Sequence, residues 1–272
     1  MLLQNKNAVI YGAGGSLAGA IARAFAKAGA TVFLSGHKLK PVQRLTDEII
    51  NAGGKAEAAE VDALNEKEVN DYVSKIVKKA GSVDVSFNLI GLQDKQGVPL
   101  IDMSLEDFTR PLKRAMETQF ITGTAAGRVM KKQGAGVILS LTATPGGIGY
   151  PETGGFGPAC CLMESISTNL GSELGTYGVR VVNIRSAGSP DSQVFKEAID
   201  QGGDKVVEFI KKIEDDTMLK RMPVMNDIAN TAVFLASDLA AGITGVTVDV
   251  TCGTTAALNY KIAQIAFIEK EY

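Results

Sequence analysis

The chain has 272 residues, 45% of them hydrophobic and 21% charged, with a formal net charge of −2 at pH 7. That balance is ordinary for a globular protein; it argues against nucleic acid or an anionic membrane as a partner. No apolar run approaches the ~18–20 residues a membrane span needs.

Short apolar runs alternate with helical patterns along the whole chain. Ala8–Tyr11 (AVIY) predicts a buried strand. A glycine turn follows, then a helix with Leu17, Ile21, Ala24, Phe25 and Ala28 on one face, closed by Gly29. Thr31–Leu34 is the second strand and Pro41–Ala52 the second helix, stopped at Gly53-Gly54. Ala56–Val61 is a strand, and Glu66–Lys79 a helix with Val69, Tyr72, Val73, Ile76 and Val77 on one face. Val83–Leu89 is the fourth strand, and Ser104–Lys132 holds either one long helix or a broken pair. Val137–Leu141 predicts a strand, Ala159–Thr176 a helix and Val179–Arg185 a strand. An irregular polar helical region then leads to a helix at Asn226–Ser237 and a last strand at Val246–Val250.

Alternation of this kind implies right-handed crossovers and an α/β fold with a doubly wound parallel sheet of about seven strands. With no linker-like composition anywhere, residues 1–272 read as one domain, with a C-terminal extension from about residue 254. Ligands of such sheets sit outside the carboxyl ends of the strands, so the informative residues should follow each strand.

The first such turn is Tyr11-Gly12-Ala13-Gly14-Gly15-Ser16-Leu17-Ala18. Glycines permit a tight turn and close approach to a pyrophosphate, and the helix that follows offers unpaired N–H groups and a positive dipole end. Aligned on Gly29-Ala30-Thr31-Val32, the end of the second strand carries Gly36, then His37 and Lys38. A carboxylate there would accept from the adenosine ribose hydroxyls and repel a 2′-phosphate. Its absence, beside two potential cations, favours NADP(H) over NAD(H); the alternative is a solvated loop that contacts nothing.

Together these landmarks resemble the short-chain dehydrogenase/reductase family over roughly residues 5–253. The glycine turn is similar to its TGxxxGxG motif, with Tyr11 for threonine, Gly12 at the first glycine, and Ser16 and Ala18 at the other two. Asp62, followed by Ala63, matches the aspartate beside the adenine, and Asn88-Leu89-Ile90-Gly91 stands where the family has Asn-Asn-Ala-Gly. Gly178–Asn183 followed by Ala187-Gly188 resembles the sixth strand and its Pro-Gly turn. Asp227–Ser237 and Ile243-Thr244-Gly245 resemble the last helix and the lead into the last strand. The resemblance implies a Rossmann-like fold, a nicotinamide cofactor and a small-molecule substrate. The implied cofactor-binding set is Gly12, Gly14, Ser16, Leu17, His37, Lys38, Asp62, Ala63, Asn88, Gly91 and Gly188.

The family's working group is a serine, a Tyr-x-x-x-Lys pair and an asparagine. The tyrosine gives or takes a proton, and its pKa of about 10 must be drawn toward neutrality by a nearby ammonium. In this chain the tyrosine frame holds Phe156, the lysine frame Cys160 and the serine frame Ala143. There is no lysine from Gln133 to Phe195, and no asparagine between Asn88 and Asn169. Two stand-ins are present: Thr142 to orient a carbonyl, and Tyr150 to supply a proton if a cation such as Arg185 lowers its pKa. Cys160 and Cys161 would serve as nucleophiles only with a depressed pKa; otherwise they are small buried hydrophobes on a helix.

Three cysteines and one histidine form neither a disulfide framework nor a metal site. The opening MLLQNKNAVIYG runs directly into a strand without a charged-then-apolar signal pattern, so a cytoplasmic location is expected. The tail carries Leu258, Ile262, Ile265 and Phe267–Ile268 on an apolar face that would pack on the body or on another subunit. By resemblance the protein is a homo-dimer or homo-tetramer, with the small face Gly123, Ala126 and Gly127 available for close helix contact. Three readings of function stand: an oxidoreductase of non-standard mechanism, a non-catalytic dinucleotide-binding or regulatory protein, and a structural subunit that binds no nucleotide.

Overall fold

In the computed structural model, which describes residues 1–256, seven strands alternate with eight α-helices. The first half comprises β1 (Asn7–Tyr11), α1 (Ser16–Lys27), β2 (Thr31–Gly36), α2 (Leu39–Asn51), β3 (Lys55–Glu60), α3 (Glu66–Ala80), β4 (Val85–Asn88) and α4 (Leu105–Gln133). The second comprises β5 (Gly136–Ala143), α5 (Phe156–Leu174), β6 (Val179–Ser186), α6 (Gln193–Gly202), α7 (Asp204–Asp216), α8 (Met225–Ala236) and β7 (Val246–Val250). All seven strands pair in parallel in the order β3-β2-β1-β4-β5-β6-β7. The chain reverses direction across the sheet between β1 and β4, which opens a crevice there at the carboxyl edge.

The two cores follow from the period-two alternation of a strand. Along β1, Ala8 and Ile10 face a core shared with α1, α2 and α8, around Ile21, Phe25, Leu34 and Ile228. Val9 and Tyr11 face the opposite core, shared with α3 and α4, around Phe33, Tyr72, Val73 and Ile121. Because both faces are covered, the inner strands read as continuous apolar runs. Local signals set the helix ends. The Asn65 side chain accepts from the Lys67 and Glu68 N–H groups at the start of α3, and the Ser104 hydroxyl accepts from the Asp107 N–H at the start of α4.

Of the two alternatives for Ser104–Lys132, the single long helix holds: α4 runs unbroken through the buried Pro111. That helix packs along α3 and α5. Three expectations need correction. The region after β6 is not irregular but forms two regular helices, α6 and α7. Gly123 and Gly127 do not offer a face to another subunit: a Cβ on them would lie 3.1 Å from Leu170 and 2.9 Å from Leu174, so they set the close approach of α5 within the chain. Of the adjacent cysteines, Cys160 is buried, but Cys161 is exposed. The apolar face expected on the tail, from Leu258 onward, lies outside the described residues.

Candidate functional site

A cleft of about 370 Å³ opens at the carboxyl ends of β1 to β4, within the size range of small-molecule sites. Of the residues expected to hold a cofactor, Gly12, Gly14, His37, Lys38, Asp62, Ala63 and Gly91 line it together. They come from four separate strand ends, and only parallel pairing brings those ends to one edge.

The glycine turn is held from below. Gly12 has φ +74, and a Cβ on it would lie 2.6 Å from the carbonyl oxygen of Leu89, so the turn rests on the backbone after β4. The Ala13 N–H donates to the Ser35 carbonyl at 2.9 Å, and the Leu89 N–H to the Tyr11 carbonyl at 3.1 Å. Above the turn the space is open. A Cβ on Gly15 would meet no atom within 4 Å, and no side chain caps the first turn of α1. A phosphate fits those free N–H groups.

Asp62 lines the cleft while its carboxylate accepts from the Leu64 N–H at 3.0 Å. At the end of β2 there is no acid. The nearby Glu60 carboxylate accepts from the Leu39 N–H at 3.2 Å, and Glu60 lines a separate hollow beside β3 and α3.

The other four expected residues lie behind or beside this cleft. Asn88 is buried; its Oδ1 accepts from the Ile90 N–H at 3.0 Å and its amide donates to Gln119 and Thr122, so it shapes the loop carrying Gly91. Ser16 borders an adjacent hollow, where its hydroxyl accepts from the Gln193 N–H at 3.3 Å. Leu17 packs on the core, and Gly188 lies against Phe195 and Met222.

Sequence reasoning missed Arg114, Thr118 and Gln93, which complete the cleft wall. Arg114 and Thr118 are spaced one helical turn apart on α4, and that i, i+4 pair was the available signal. Tyr11 also lines the cleft. Its buried hydroxyl has no partner among the described residues, and burial pushes its pKa up.

The second group of expected residues gathers at the ends of β5 and β6 and the start of α5. Ala143 ends β5, with its backbone beside the thiol of Cys160. Burial is the main reason that thiol is pushed up to about 11, which leaves it neutral and unreactive at pH 7. Phe156, one turn earlier, packs with Leu112, Ala115, Ala159 and Met163.

Thr142, Tyr150 and Arg185 are not grouped as the stand-in roles expected of them would need. The Thr142 hydroxyl donates to Glu164 Oε1 at 2.8 Å and accepts from the Asn183 amide at 2.7 Å, so its proton is already engaged within the chain. Arg185 does not serve Tyr150. Its guanidinium grips Glu164 with two hydrogen bonds, Nε to Oε1 at 3.0 Å and Nη2 to Oε2 at 2.5 Å, and has Asp249 at 3.5 Å. The Tyr150 phenol is raised rather than lowered, first by burial and then by Asp216. Glu164, on α5, is the residue that draws Thr142 and Arg185 into one network, and it went unnoticed in the sequence.

Comparison with known proteins agrees with the fold. A family model described as enoyl-(acyl carrier protein) reductase matches residues 12–255. The 7alpha-hydroxysteroid dehydrogenase of Escherichia coli K12 is 29% identical over 257 residues, 94% of this chain and 97% of that protein. The L-rhamnose 1-dehydrogenase (NAD(P)(+)) of Azotobacter vinelandii is 29% identical over 251 residues, 90% of this chain and 94% of that one. A solved gluconate 5-dehydrogenase from Burkholderia cenocepacia J2315, in complex with NADP and tartrate, has a TM-score of 0.85 at 20% identity. It covers 94% of this chain and 97% of its own. At that identity the likeness is one of fold.

Proposed function

The chain belongs to the short-chain dehydrogenase/reductase family, and on that premise we propose that it is an NADP(H)-dependent oxidoreductase that transfers hydride without the family's tyrosine–lysine acid. The observation that carries this reading is the cleft itself. An open glycine turn, an uncapped helix start and the pair His37 and Lys38 meet with no carboxylate at Gly36. The Azotobacter relative is named for NAD(P)+ and the Burkholderia neighbour holds NADP, which agrees with the cofactor class.

In this reading Gly12, Gly14 and Gly15 and the α1 N–H groups receive the pyrophosphate, Lys38 and His37 receive the 2′-phosphate, and Asp62 and Ala63 border the adenine. When bound, the reduced nicotinamide supplies a hydride, carrying both electrons of the C4–H bond. The chain's own residues then have to hold the acceptor against the nicotinamide; none of Ala143, Phe156 and Cys160 gives up a proton at neutral pH. For a carbonyl acceptor this forfeits the ~10²–10⁴-fold that a positioned acid contributes. An electron-poor alkene or an iminium loses less, because its adduct is already stabilised or neutral and any proton needed can come from water. Orientation alone is worth up to ~7–11 kcal/mol, so the substrate class we assign is an activated alkene or iminium.

The engagement of Thr142 and Arg185 and the raised Tyr150 and Cys160 favour a second reading, a nucleotide-binding protein without turnover. One experiment separates the two. NADPH is titrated by fluorescence and thermal shift, since a ligand of the native state raises stability by mass action. Its oxidation is then followed across carbonyl, enone and iminium acceptors. Turnover of enones or iminiums above carbonyls supports the oxidoreductase reading, and binding without turnover supports the second. Absence of binding sinks both.

A further inference from the structure

We propose that Arg114 is a cofactor-binding residue whose guanidinium holds the dinucleotide pyrophosphate from the α4 side of the cleft; this rests on the NADP(H) reading above. Arg114 is half-buried and lines the same cleft as Gly12, Gly14 and Lys38. Its Nε donates to the Gly91 carbonyl at 2.8 Å, which ties the guanidinium to the loop after β4. Both terminal nitrogens are left without an acceptor or carboxylate among the described residues. A guanidinium presents five N–H donors in a planar fork, and one of them is spent here. The remaining edge matches the geometry of a phosphate, and a partly desolvated cation with no counter-charge is costly until an anion arrives.

The sheet order decides which phosphate. β2 and β4 lie on opposite sides of β1, and neighbouring strands are about 4.8 Å apart. Lys38, after β2, and Arg114, above the β4 loop, therefore flank the glycine turn from opposite sides. A 2′-phosphate belongs on the β2 flank. The anion shared by every nicotinamide dinucleotide is drawn to the turn and the start of α1, and this is the group left for Arg114. Arg114 and Lys38 are thus assigned different phosphates, one common to NADH and NADPH and one that distinguishes them.

The test uses the full chain and compares Arg114→Gln, Arg114→Lys and Lys38→Glu by titration with NADPH, NADH and ADP-ribose. Arg114→Gln is expected to weaken all three by about tenfold or more, as loss of a charge-assisted hydrogen bond does, with Arg114→Lys recovering part of the loss. Lys38→Glu should weaken NADPH alone. The ligand-free melting temperatures of the Arg114 variants should stay within about 2–4 °C of the unsubstituted protein, the shift expected from losing the bond to Gly91, which separates lost binding from lost folding. A loss confined to NADPH would move Arg114 to the 2′-phosphate and overturn the assignment. Unchanged affinities for all three, or affinities that fall only alongside the ligand-free melting temperature, would overturn it as well. If the unsubstituted chain binds none of the three ligands, the nucleotide reading itself fails.

Discussion

Gly12 and Gly15 stand three residues apart in one turn, and alanine at each is expected to do opposite things. At Gly12 the backbone has φ +74, and an added Cβ would lie 2.6, 2.8 and 2.9 Å from Leu89 O, Leu89 C and Ile90 N. All three are backbone atoms, so no side chain can swing away. The left-handed conformation costs an L-residue roughly 1–2 kcal/mol, and forcing a packed backbone apart costs roughly 1–3 kcal/mol more. Gly12→Ala should therefore destabilise the ligand-free protein by about 2–5 kcal/mol, a fall of roughly 5–20 °C in melting temperature for a chain of this size.

At Gly15, φ is −89 and a Cβ would meet nothing within 4 Å. The loss of a favourable N-cap glycine and the gain from a stiffer unfolded chain nearly offset, so the melting temperature should stay within about 2 °C. Yet the new methyl group would project into the space through which a pyrophosphate approaches the turn, and NADPH affinity should drop about tenfold. Thermal denaturation without ligand and fluorescence titration with NADPH read both effects. A Gly12→Ala protein that melts like the unsubstituted one refutes the packing argument. A Gly15→Ala protein with unchanged NADPH affinity refutes the role of the turn.

Glu164→Ala should lower stability by about 3 kcal/mol in urea unfolding, because it strands the largely buried Arg185 with only Asp249 nearby; adding Arg185→Met should restore much of it, and an unchanged midpoint in the single variant would contradict the network. Iodoacetamide at pH 8 should label the exposed Cys161 and spare Cys160, with mass mapping to read the sites; early labelling of Cys160 would show that its thiol is not neutral and sheltered. The folded Cys160 thiol is pushed up to about 11 from 9.0, so its contribution to stability is complete below pH 9 and fades as pH rises toward 11. Cys160→Ala should remove that part of the alkaline loss in melting temperature. Tyr150→Phe should change turnover of any accepted substrate by less than about twofold, since burial and Asp216 raise the phenol; a hundredfold drop would restore Tyr150 as a proton donor.

Much of the architecture was legible because buried parallel strands must be apolar runs and their crossover helices must carry one apolar face. The last strand, Val246–Val250, is where its pattern put it, and other strand ends moved by no more than two residues. The start of α5 was less visible. Phe156 and Gly157 belong to the helix, but a glycine-rich stretch with Pro158 disguises its first turn. The course of α4 through Pro111 was ambiguous because local propensity argues for a break there, and a helix whose Pro111 is buried in tertiary packing overrides it.

The same division runs through the site. Gly12, Gly14, His37, Lys38, Asp62, Ala63 and Gly91 could be found from the sequence because each follows a strand, and parallel pairing delivers strand ends to one edge. Residue types could also be counted, so the lack of a lysine near the Phe156 and Cys160 frame was a matter of sequence alone. Partners could not be counted. Arg185 looked like a spare cation until Glu164, 21 residues earlier in the chain, closed on it. Nothing in the sequence sets Arg114 apart from the other charges of α4; the fold turns it into the cleft with a single bond to Gly91. Strand positions and parallel pairing follow from local pattern and handedness, but the order of the strands and the charge state and freedom of a side chain depend on atoms that only the tertiary structure brings within a few ångströms.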